Sequence, residues 1–302
     1  MSNTQRRNNL KFGIGVIVFN PDEKVIARLL KYESYTKNII IYDNSVDNNA
    51  VSEKISKLFK YYYKNGENNG MSGALNLIFN KSIEFDYDIL LTMDQDSEFS
   101  NENIDLMLHK MTNERQNNTA IYCPNYRKLY FDKNTNKEIA SQAKININEN
   151  KNVLSCMTSG SFYKVKFLEG LLNLEDLFIG YVDQDICYNL ISRGYKILMI
   201  GSISFDQRVG GEIKNNVINR LFKVLHHTNS RYYYMIRNNL YLQKKYKNNH
   251  QIVSELKKGI VRILFNIVFG EKDKFEKIEF SIYGMKDFKN GILGKISSRG
   301  AK

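Results

Sequence analysis

Two short acidic segments hold the side chains best suited to chemistry. The first is Asp94-Gln95-Asp96, which directly follows the apolar run at residues 89–92. Because side chains at positions i and i+2 of an extended segment point the same way, both carboxylates can face one ligand. Mg²⁺ and Mn²⁺ prefer such hard oxygen ligands and keep positions free for a substrate's phosphates. Taken alone, an Asp-x-Asp triplet is more often a solvated turn, but the apolar run before this one favours a metal site.

The second acidic segment is Asp183-Gln184-Asp185, which opens an apolar helical pattern that includes Ile186 and Leu190. A carboxylate held near a substrate hydroxyl can act as a general base, and partial burial would raise its proton affinity. Acidic residues in the first turn of a helix are also ordinary capping residues. The segment by itself leaves both interpretations open.

Length and composition predict a folded protein with a sizeable core. The chain has 302 residues, of which 42% are hydrophobic and 12% aromatic, which excludes a disordered polymer. Residues 1–9 are polar and are not followed by the apolar h-region of a secretory signal. The longest apolar runs are too short to cross a bilayer. Three widely spaced cysteines lack metal-ligand spacing and are expected as buried free thiols. We expect a cytoplasmic protein.

The charge balance points to an anionic partner. Lysine and arginine outnumber acidic residues by 44 to 32, which gives a formal net charge of +12. Phosphorylated small molecules, nucleic acid or an anionic membrane face would all suit such a chain. No arginine-rich run, zinc-finger spacing or RNP-like aromatic strand occurs, so nucleic acid is not expected as a partner.

The elements that must position the acidic residues are predicted by alternating apolar runs and helical patterns. Strands are expected at residues 13–19, 39–42 and 89–92, with helices between them, and a hairpin or loop at residues 132–152. The first helix is expected to have Asn20 as N-cap and Pro21 in its first turn. This alternation is typical of an α/β fold with a mostly parallel sheet. Ligands of such sheets bind beyond the carboxyl ends of the strands, where the acidic residue Asp43 and the Asp94 segment converge.

Taken together, the motifs resemble the family 2 glycosyltransferases of the GT-A fold, in particular their rhamnosyltransferase-like branch. The resemblance covers nearly the whole chain and rests on the order and spacing of several short segments. These are Val18-Phe19-Asn20-Pro21, Ile41-Tyr42-Asp43-Asn44-Ser45, Asn69-Gly70 to Asn76, Met93-Asp94-Gln95-Asp96-Ser97, Ser159-Gly160-Ser161, Phe178 to Asp185, Arg193-Gly194-Tyr195, Tyr232-Tyr233-Tyr234 with Arg237-Asn238, and Gly284 to Gly294.

The resemblance implies a GT-A domain at residues 10–225, with a Rossmann-like, mostly parallel mixed sheet and flanking helices. A helical extension would follow at residues 226–302. On the donor side, Asp43 would bind the pyrimidine base through a charge-assisted hydrogen bond, with Asn44 beside it. Phe19 and Asn20 would form the floor of the nucleotide pocket.

The resemblance also implies how the diphosphate and the sugar are held. Asn69, Gly70 and Gly73 would let a loop and a helix terminus approach the donor. Asp94 would contact the ribose or the sugar, and Asp96 would bind the Mg²⁺ or Mn²⁺ cofactor that bridges the diphosphate.

On the acceptor side, the resemblance assigns the general base to Asp183 and gives Asp185 a supporting role in the same turn. Ser159 and Gly160 would border the acceptor channel. An acceptor hydroxyl deprotonated by Asp183 would attack the anomeric carbon opposite the leaving nucleoside diphosphate, so the configuration inverts.

The chain departs from the family pattern where a His-x-x-Gly is expected, because it has Gln207-Arg208-Val209-Gly210. A glutamine is a poorer metal ligand than a histidine. Either metal dependence is weaker, or Arg208 supplies positive charge instead.

The apolar stripe at residues 252–269, flanked by Lys257, Lys258 and Arg262, has two open interpretations. It is a helix packed on the catalytic domain, or a basic amphipathic helix that rests on the inner membrane surface.

The predicted function is inverting transfer of a sugar from a nucleotide-sugar donor to a saccharide acceptor, lipid-linked or free, in bacterial surface polysaccharide synthesis. The resemblance favours L-rhamnose from dTDP-rhamnose. Alternatives are a UDP-hexose or UDP-galactofuranose donor, or a non-catalytic basic RNA-binding or scaffold protein. The sequence does not predict the oligomeric state.

Overall fold

The structure, a computed structural model, describes residues 10–113, 118–132, 137–171, 174, 176–208, 227–271 and 273–296. Within these ranges the strands are β1 (Phe12–Val18), β2 (Ile39–Asp43), β3 (Tyr61–Lys64), β4 (Ile89–Asp94), β5 (Thr119–Asp132), β6 (Lys137–Ala140), β7 (Asn150–Asn152), β8 (Ser161–Lys164) and β9 (Lys196–Arg208). The α-helices are α1 (Glu23–Tyr35), α2 (Ala50–Leu58), α3 (Gly70–Glu84), α4 (Asn101–Asn113), α5 (Val182–Ser192), α6 (Asn229–Lys245), α7 (His250–Gly270) and α8 (Lys274–Lys289).

The strands form one mixed sheet in the order β3-β2-β1-β4-β8-β5-β9-β7, and β6 pairs with β5. Strands β1 to β4 are parallel, while β8 runs antiparallel between β4 and β5. The register aligns Val18 with Asp43 and Ile17 with Asp94. The carboxyl ends of three neighbouring strands therefore lie level at one edge. This confirms the predicted α/β class with a mostly parallel sheet.

The amino-terminal half follows the predicted order, with one strand that the sequence analysis missed. β3 pairs in parallel with β2 at the sheet edge. Its four residues, three tyrosines and a lysine, are all half-buried. Such a run shows neither the alternation of a half-exposed strand nor the apolar stretch of a buried one, so it gave no strand signal.

The start of α1 was predicted two residues too early. Asp22 is the N-cap, and its carboxylate accepts hydrogen bonds from the backbone N–H groups of Lys24 and Val25. Asn20 instead lies in the left-handed region, with φ 47°, and donates its N–H to the Ser45 hydroxyl at 2.6 Å. The chain therefore makes a bend between β1 and α1, which lies at the same edge as the acidic residues.

In the second half of the sheet, the segment predicted as a hairpin or loop at residues 132–152 begins with a hairpin. β5 pairs antiparallel with β6, from Leu129 opposite Ala140 to Asp132 opposite Lys137. Cys123, Cys156 and Cys187 are free and buried, as expected. Their proximity was not expected, since the Cys156 and Cys187 sulfurs lie 3.8 Å apart.

Three helices, α6 to α8, follow the sheet; α6 and α7 contribute to the main core, and α8 packs mainly against α6. Leu242 of α6, Tyr246 directly after it, and Ile252 and Leu256 of α7 belong to the main core. A second cluster joins α6 to α7 through Tyr232, Ile236, Ile263 and Ile267. The predicted domain boundary, between residues 225 and 226, lies outside the described residues. No helix in the described part of the chain is both long and apolar enough to span a bilayer.

Candidate active site

The carboxyl end of β4 carries the Asp94-Gln95-Asp96 triplet. Asp94 is the last residue of the strand and is half-buried, whereas Asp96 is exposed. The Gln95 side chain makes two hydrogen bonds to the backbone of Phe19: its Oε1 accepts at 2.9 Å and its Nε2 donates at 3.0 Å. Arg28 of α1 donates to the Gln95 carbonyl at 2.8 Å. The triplet is therefore tied to the end of β1 by a residue that the sequence analysis had given no role.

Asp183 lies in the first turn of α5, after a loop with unusual backbone geometry. Phe178, Gly180 and Tyr181 all adopt left-handed φ values, of 61°, 79° and 65°. The Thr158 hydroxyl donates to the Asp183 carboxylate at 3.1 Å. This contact joins α5 to the segment that precedes β8.

The same segment also contacts β4. The Asp94 N–H donates to the Ser159 hydroxyl oxygen at 3.1 Å. Thr92 donates its hydroxyl to the Thr158 carbonyl at 2.6 Å, and the Gly160 N–H donates to the Thr92 carbonyl at 2.8 Å. Residues 158–160 thus connect β4 and α5, and hold the two acidic segments next to each other.

The charges of the three acidic residues influence one another. Burial, and after it the charges of Asp183 and Asp96, raise the pKa of Asp94 to about 7. Burial likewise raises the pKa of Asp183 to about 6, although the hydrogen bond from Thr158 and the charge of Arg231 oppose this. Both carboxyls therefore titrate near neutral pH. Such a pKa suits a general base, and it is also expected where neighbouring carboxylates repel each other.

The pair Asp94 and Asp96 fits a cation that is shared with a substrate. The described residues contain no group of three or more His, Cys, Asp or Glu side chains placed to hold a metal, so a closed protein site is not formed there. Mg²⁺ is commonly held by one or two carboxylates together with substrate phosphates and water. Two neighbouring carboxylates that repel each other match that donor set.

Asp43 does not have the open position that was expected of it. Its side chain is fully buried, and its oxygens accept hydrogen bonds from the Ser45 N–H at 2.9 Å and from the Ser52 and Tyr62 hydroxyls at 2.6 Å. Burial alone would raise the pKa of Asp43, but these hydrogen bonds outweigh it and lower the pKa. In this structure Asp43 fixes the end of β2 to α2 and β3 and does not present a carboxylate to a base.

Asn44 and Asn69 connect the end of β2 to the start of α3. The Asn44 amide donates to the Gly70 carbonyl at 3.0 Å, and the Asn69 N–H donates to the Asn44 side-chain oxygen at 2.8 Å. The Asn69 side chain donates to the Tyr42 hydroxyl at 2.7 Å. Both side chains lie near the predicted donor pocket, but their amides are used within the protein.

Gly70 allows a close approach between α3 and the loop before Asp183. Its φ is +68°, and a Cβ atom there would lie 2.3 Å from the Phe178 carbonyl oxygen. That oxygen accepts the Met71 N–H at 2.6 Å. The resemblance implied that Gly70 would let the donor approach. In the structure, the backbone of Phe178 occupies the space beside Gly70.

A cleft of about 680 Å³ lies beside the start of α3. Asn69 and Gly73, both predicted donor-site residues, line it together with Phe178. Phe19 and Asn20 are exposed at the end of β1, where a nucleotide can reach them. Asn69 and Gly73 thus share a cleft that neither Phe19, Asn20 nor the Asp94 segment lines.

The Asp185 carboxylate contacts the C-terminal helices, although it was expected to support Asp183, the proposed base. Its buried carboxylate pairs with Lys245 at 2.9 Å and accepts the Tyr246 hydroxyl at 2.6 Å. These partners come from the end of α6 and the residue after it, so Asp185 anchors α5 to the C-terminal helices. Gln207 is half-buried in β9, whereas the Arg208 side chain and Gly210 lie outside the described residues.

Comparison with known proteins agrees with this geometry. The family model described as glycosyl transferase family 2 matches residues 14–172, just over half of the chain. The chain belongs to glycosyl transferase family 2. Membership favours a catalytic role over the RNA-binding or scaffold alternative, and the chain is a glycosyltransferase.

Among curated proteins, this family 2 chain is similar to the dTDP-rhamnosyl transferase RfbF of Shigella flexneri. The two are 23% identical over 290 residues, which cover 92% of this chain and 95% of the relative.

Solved structures that match include S. aureus TarS 1-349, with a TM-score of 0.54, 13% identity and coverage of 92% of this chain and 80% of that one. GalNAc-T7, solved with UDP, GalNAc and Mn²⁺, matches with a TM-score of 0.52 and 14% identity; 85% of this chain is covered, but only 55% of that chain. These likenesses confirm the GT-A fold.

Proposed function

We propose that this glycosyltransferase moves a sugar from a nucleoside diphosphate donor to a hydroxyl of a saccharide acceptor, with inversion at the anomeric carbon. The single observation that carries the proposal is the meeting of Asp183 and Asp94 at one sheet edge, each with its pKa raised toward neutrality. Asp183 is the general base: it takes the acceptor hydroxyl's proton as that oxygen attacks the anomeric carbon. The bond to the nucleoside diphosphate breaks on the opposite face.

Asp94 and Asp96 are the residues that would hold the donor and a divalent cation. Such a cation, Mg²⁺ or Mn²⁺, would neutralise part of the charge on the leaving diphosphate. The crystallised GalNAc-T7, with its Mn²⁺, supports the use of such an ion within this fold. Asp94 orients the sugar or ribose, and the Ser159 contact to its backbone keeps it in place.

The favoured donor is dTDP-rhamnose, and the support for it is the similarity to a dTDP-rhamnosyl transferase along almost the whole chain. The acceptor would be a growing surface polysaccharide, lipid-linked or free. Donors that carry UDP, with a hexose or galactofuranose, are the alternatives that the experiment below compares.

We further propose that the protein works at the cytoplasmic face of a membrane, where α7 and α8 contact anionic lipid. Large apolar side chains are exposed on both helices: Val261, Leu264, Val268 and Phe269 on α7, and Phe275, Ile278, Ile282 and Met285 on α8. Exposed lysines lie on the same two helices, among them Lys257, Lys274 and Lys289. Apolar side chains with nearby cationic ones suit the interface of an anionic bilayer.

The activity is tested by incubating the full chain and a saccharide acceptor with dTDP-rhamnose, a UDP-hexose or UDP-galactofuranose, with and without Mg²⁺ or Mn²⁺. Calorimetry gives donor binding, release of nucleoside diphosphate gives turnover, and the anomeric configuration of the product reports inversion. We expect turnover with dTDP-rhamnose that is lost on chelation.

The matched control is Asp86→Asn. Asp86 precedes β4 at the far end of the sheet, pairs with Lys11 on the surface and has a left-handed φ that asparagine tolerates. It should keep full activity. Binding of no nucleotide-sugar by the unmodified protein would refute the proposed function.

A further inference from the structure

Arg231 is a half-buried cation beside the catalytic base. It lies in the first turn of α6, outside the segment matched by the family model. A Cβ atom built on Gly180 would lie 4.0 Å from the Arg231 Nε atom, so the side chain covers the loop that leads into α5. The C-terminal helices therefore deliver a positive charge to the proposed active site.

The Arg231 guanidinium is electrostatically coupled to Asp183 but does not pair with it. Asp183 raises the pKa of Arg231, although burial lowers it more, and Arg231 in turn lowers the pKa of Asp183. Within the described residues the two charged groups form no ion pair at 4 Å or less. The two charged groups are close enough to shift each other's pKa, but they are too far apart to form an ion pair.

The Arg231 guanidinium has no hydrogen-bond partner among the described residues, unlike the side chains of other arginines there. Arg237, two turns along α6, donates to the Leu177 and Gly294 carbonyls. Arg28 donates to the Gln95 carbonyl, and Arg127 pairs with Asp206. A guanidinium has five donors in a fixed fork, and no Arg231 nitrogen is among the described buried side-chain atoms that lack a partner. Its donors therefore remain accessible to a ligand that supplies acceptors.

The chemistry of the site indicates what that ligand is. Asp94, Asp96 and Asp183 place negative charge together, which would repel the diphosphate of a nucleotide-sugar. The guanidinium fork matches phosphate oxygens in charge and geometry, and it stays protonated at any working pH. A cation that reaches the diphosphate from the loop before α5 would offset this repulsion.

We infer that Arg231 binds a phosphate group of the donor's diphosphate. The inference rests on the proposed function and adds a residue from the C-terminal helices to the donor site. It gives Arg231 the charge-supplying role that the sequence analysis had offered to Arg208. The same chemistry could recognise a phosphate of a lipid-linked acceptor, and the experiment separates the two sources.

The test compares binding of nucleoside diphosphate and of free nucleoside by calorimetry, without acceptor. The probes are dTDP and UDP, with thymidine and uridine as their phosphate-free counterparts. Arg231→Gln should weaken diphosphate binding by roughly ten- to a hundredfold, the range expected for hydrogen bonds to a charged group. Nucleoside binding should not change, and Arg231→Lys should lie between the two.

Two controls separate binding from folding. The melting temperature of Arg231→Gln should be unchanged or higher, because the substitution removes a half-buried charge that has no partner in the described structure. Arg262→Gln, which removes an exposed arginine of α7, should leave diphosphate affinity as it is.

An unchanged affinity of Arg231→Gln for nucleoside diphosphate would overturn the inference. Loss of binding to a polyprenyl diphosphate in detergent, with nucleoside diphosphate binding retained, would also overturn it and assign Arg231 to the acceptor. If the unmodified protein binds neither dTDP nor UDP, the proposed function fails instead, so the two failures are distinguishable.

Discussion

At the scale of single residues, the environment of Asp183 divides into groups that raise its pKa and groups that lower it. Burial and the buried thiol of Cys156 favour the protonated form, whereas Thr158 and Arg231 favour the carboxylate. The balance leaves a pKa of about 6, so the group is mostly deprotonated at neutral pH but is still basic enough to accept a proton. This combination is what general base catalysis requires.

Replacing the base should affect turnover far more than donor binding. We expect Asp183→Asn to lower kcat by about 10²–10⁴-fold, the usual contribution of a general base. Donor affinity, measured by calorimetry, should stay within a few-fold of the unmodified value. Retention of full turnover by this variant would remove Asp183 from the mechanism.

The pH dependence follows from the same pKa. Since the carboxylate is the active form, kcat/KM should fall as the pH drops through about 6, by about tenfold for each unit below it. Other titratable and charged groups coupled to Asp183 are Asp94, Arg231, Cys156, Cys187 and Tyr163. The residual activity of Asp183→Asn should lack this fall at acidic pH. If kcat/KM of the unmodified protein stayed constant from pH 7 to 5, Asp183 would not be the general base.

The sequence predicted where some acidic residues lie, but not how every one is used. Asp94 and Asp96 could be placed at a strand end from the local pattern, whereas Asp183 was assigned a role only through the family resemblance, because acidic residues at a helix start are also ordinary capping residues. The surroundings of Asp43 and Asp185 could not be predicted, because Tyr62 and Lys245 are brought to them only by the fold. The sequence does not distinguish a carboxylate that binds a ligand from one that accepts hydrogen bonds from buried donors of the same chain.

At the scale of elements, the loop before α5 is held from two sides. On one side, α3 donates the Met71 N–H to the Phe178 carbonyl. On the other, the fully buried side chains of Arg237 and Asn238 in α6 donate to the Leu177, Ile179 and Gly180 carbonyls. Two of the left-handed residues in this loop, Phe178 and Tyr181, are not glycine, and their conformation is costly without such restraint. Neighbouring elements therefore fix the position of Asp183.

A pair of glycine substitutions should show how much the α3 contact contributes. Gly66 and Gly70 both have positive φ, so alanine costs about 1–2 kcal/mol of backbone strain at either position. A Cβ atom at position 70 would lie 2.3 Å from the Phe178 carbonyl oxygen, whereas one at position 66 would meet nothing within 4 Å. We expect Gly70→Ala to lower both the melting temperature and kcat clearly more than Gly66→Ala does; equal effects would contradict the contact.

The anchor between α5 and α6 makes a different prediction for Asp185. Asp185→Asn would leave the partly buried Lys245 ammonium without its counter-charge, which should lower the free energy of unfolding by about 1–3 kcal/mol. The folded variant should keep most of its kcat, since the base itself is intact. Denaturant unfolding measures the first effect, and a loss of kcat like that of Asp183→Asn would return Asp185 to a supporting role in catalysis.

Elements with long, strongly periodic patterns were predictable, and short or atypical ones were not. The helical spacing of Leu75, Ile78 and Phe79 predicts the buried face of α3, and all three are buried. In α1 the same spacing predicts a stripe of Val25, Ile26, Leu29 and Leu30, but Leu30 is 44% exposed while Tyr32 is buried. The Tyr32 hydroxyl accepts the Phe99 N–H at 3.0 Å, a long-range contact that a helical period does not reveal.

At the scale of the whole molecule, the proposed active site combines two parts of the chain. The end of β4 and the residues directly after it supply Asp94 and Asp96, while α6 supplies the Arg237 and Asn238 side chains that hold the loop before Asp183. The alternation of the first strands and helices, apart from β3, could be read from the sequence, because crossover connections are short and regular. The packing of the C-terminal helices could not, because it depends on polar contacts between distant residues.

The exposed apolar side chains of α7 and α8 give a prediction about the intact protein. We expect it to co-sediment with vesicles that contain phosphatidylglycerol, less so at high salt, and not with pure phosphatidylcholine. Phe275 is 90% exposed, and burying a side chain of its size in lipid contributes about 1.5–3 kcal/mol. Phe275→Ser should therefore weaken vesicle binding by roughly tenfold or more.

The control is Ile147→Ser, because Ile147 is also exposed, at 59%, but lies away from these helices. It should bind vesicles like the unmodified protein. A protein that ignores anionic vesicles and instead dimerises through α7 and α8, as seen by light scattering, would contradict the membrane assignment.

The hydrogen bond from Arg237 to the Gly294 carbonyl, at 2.7 Å, has a consequence for biosynthesis. The same guanidinium restrains Leu177, so the full set of contacts that fixes the loop before Asp183 forms only once residue 294 has been translated. A nascent polypeptide that has emerged from the ribosome as far as α5 already contains every proposed catalytic carboxylate. It should nevertheless be inactive until Arg237 makes its hydrogen bond to the Gly294 carbonyl. Activated sugars would then not be consumed before synthesis of the chain is nearly finished.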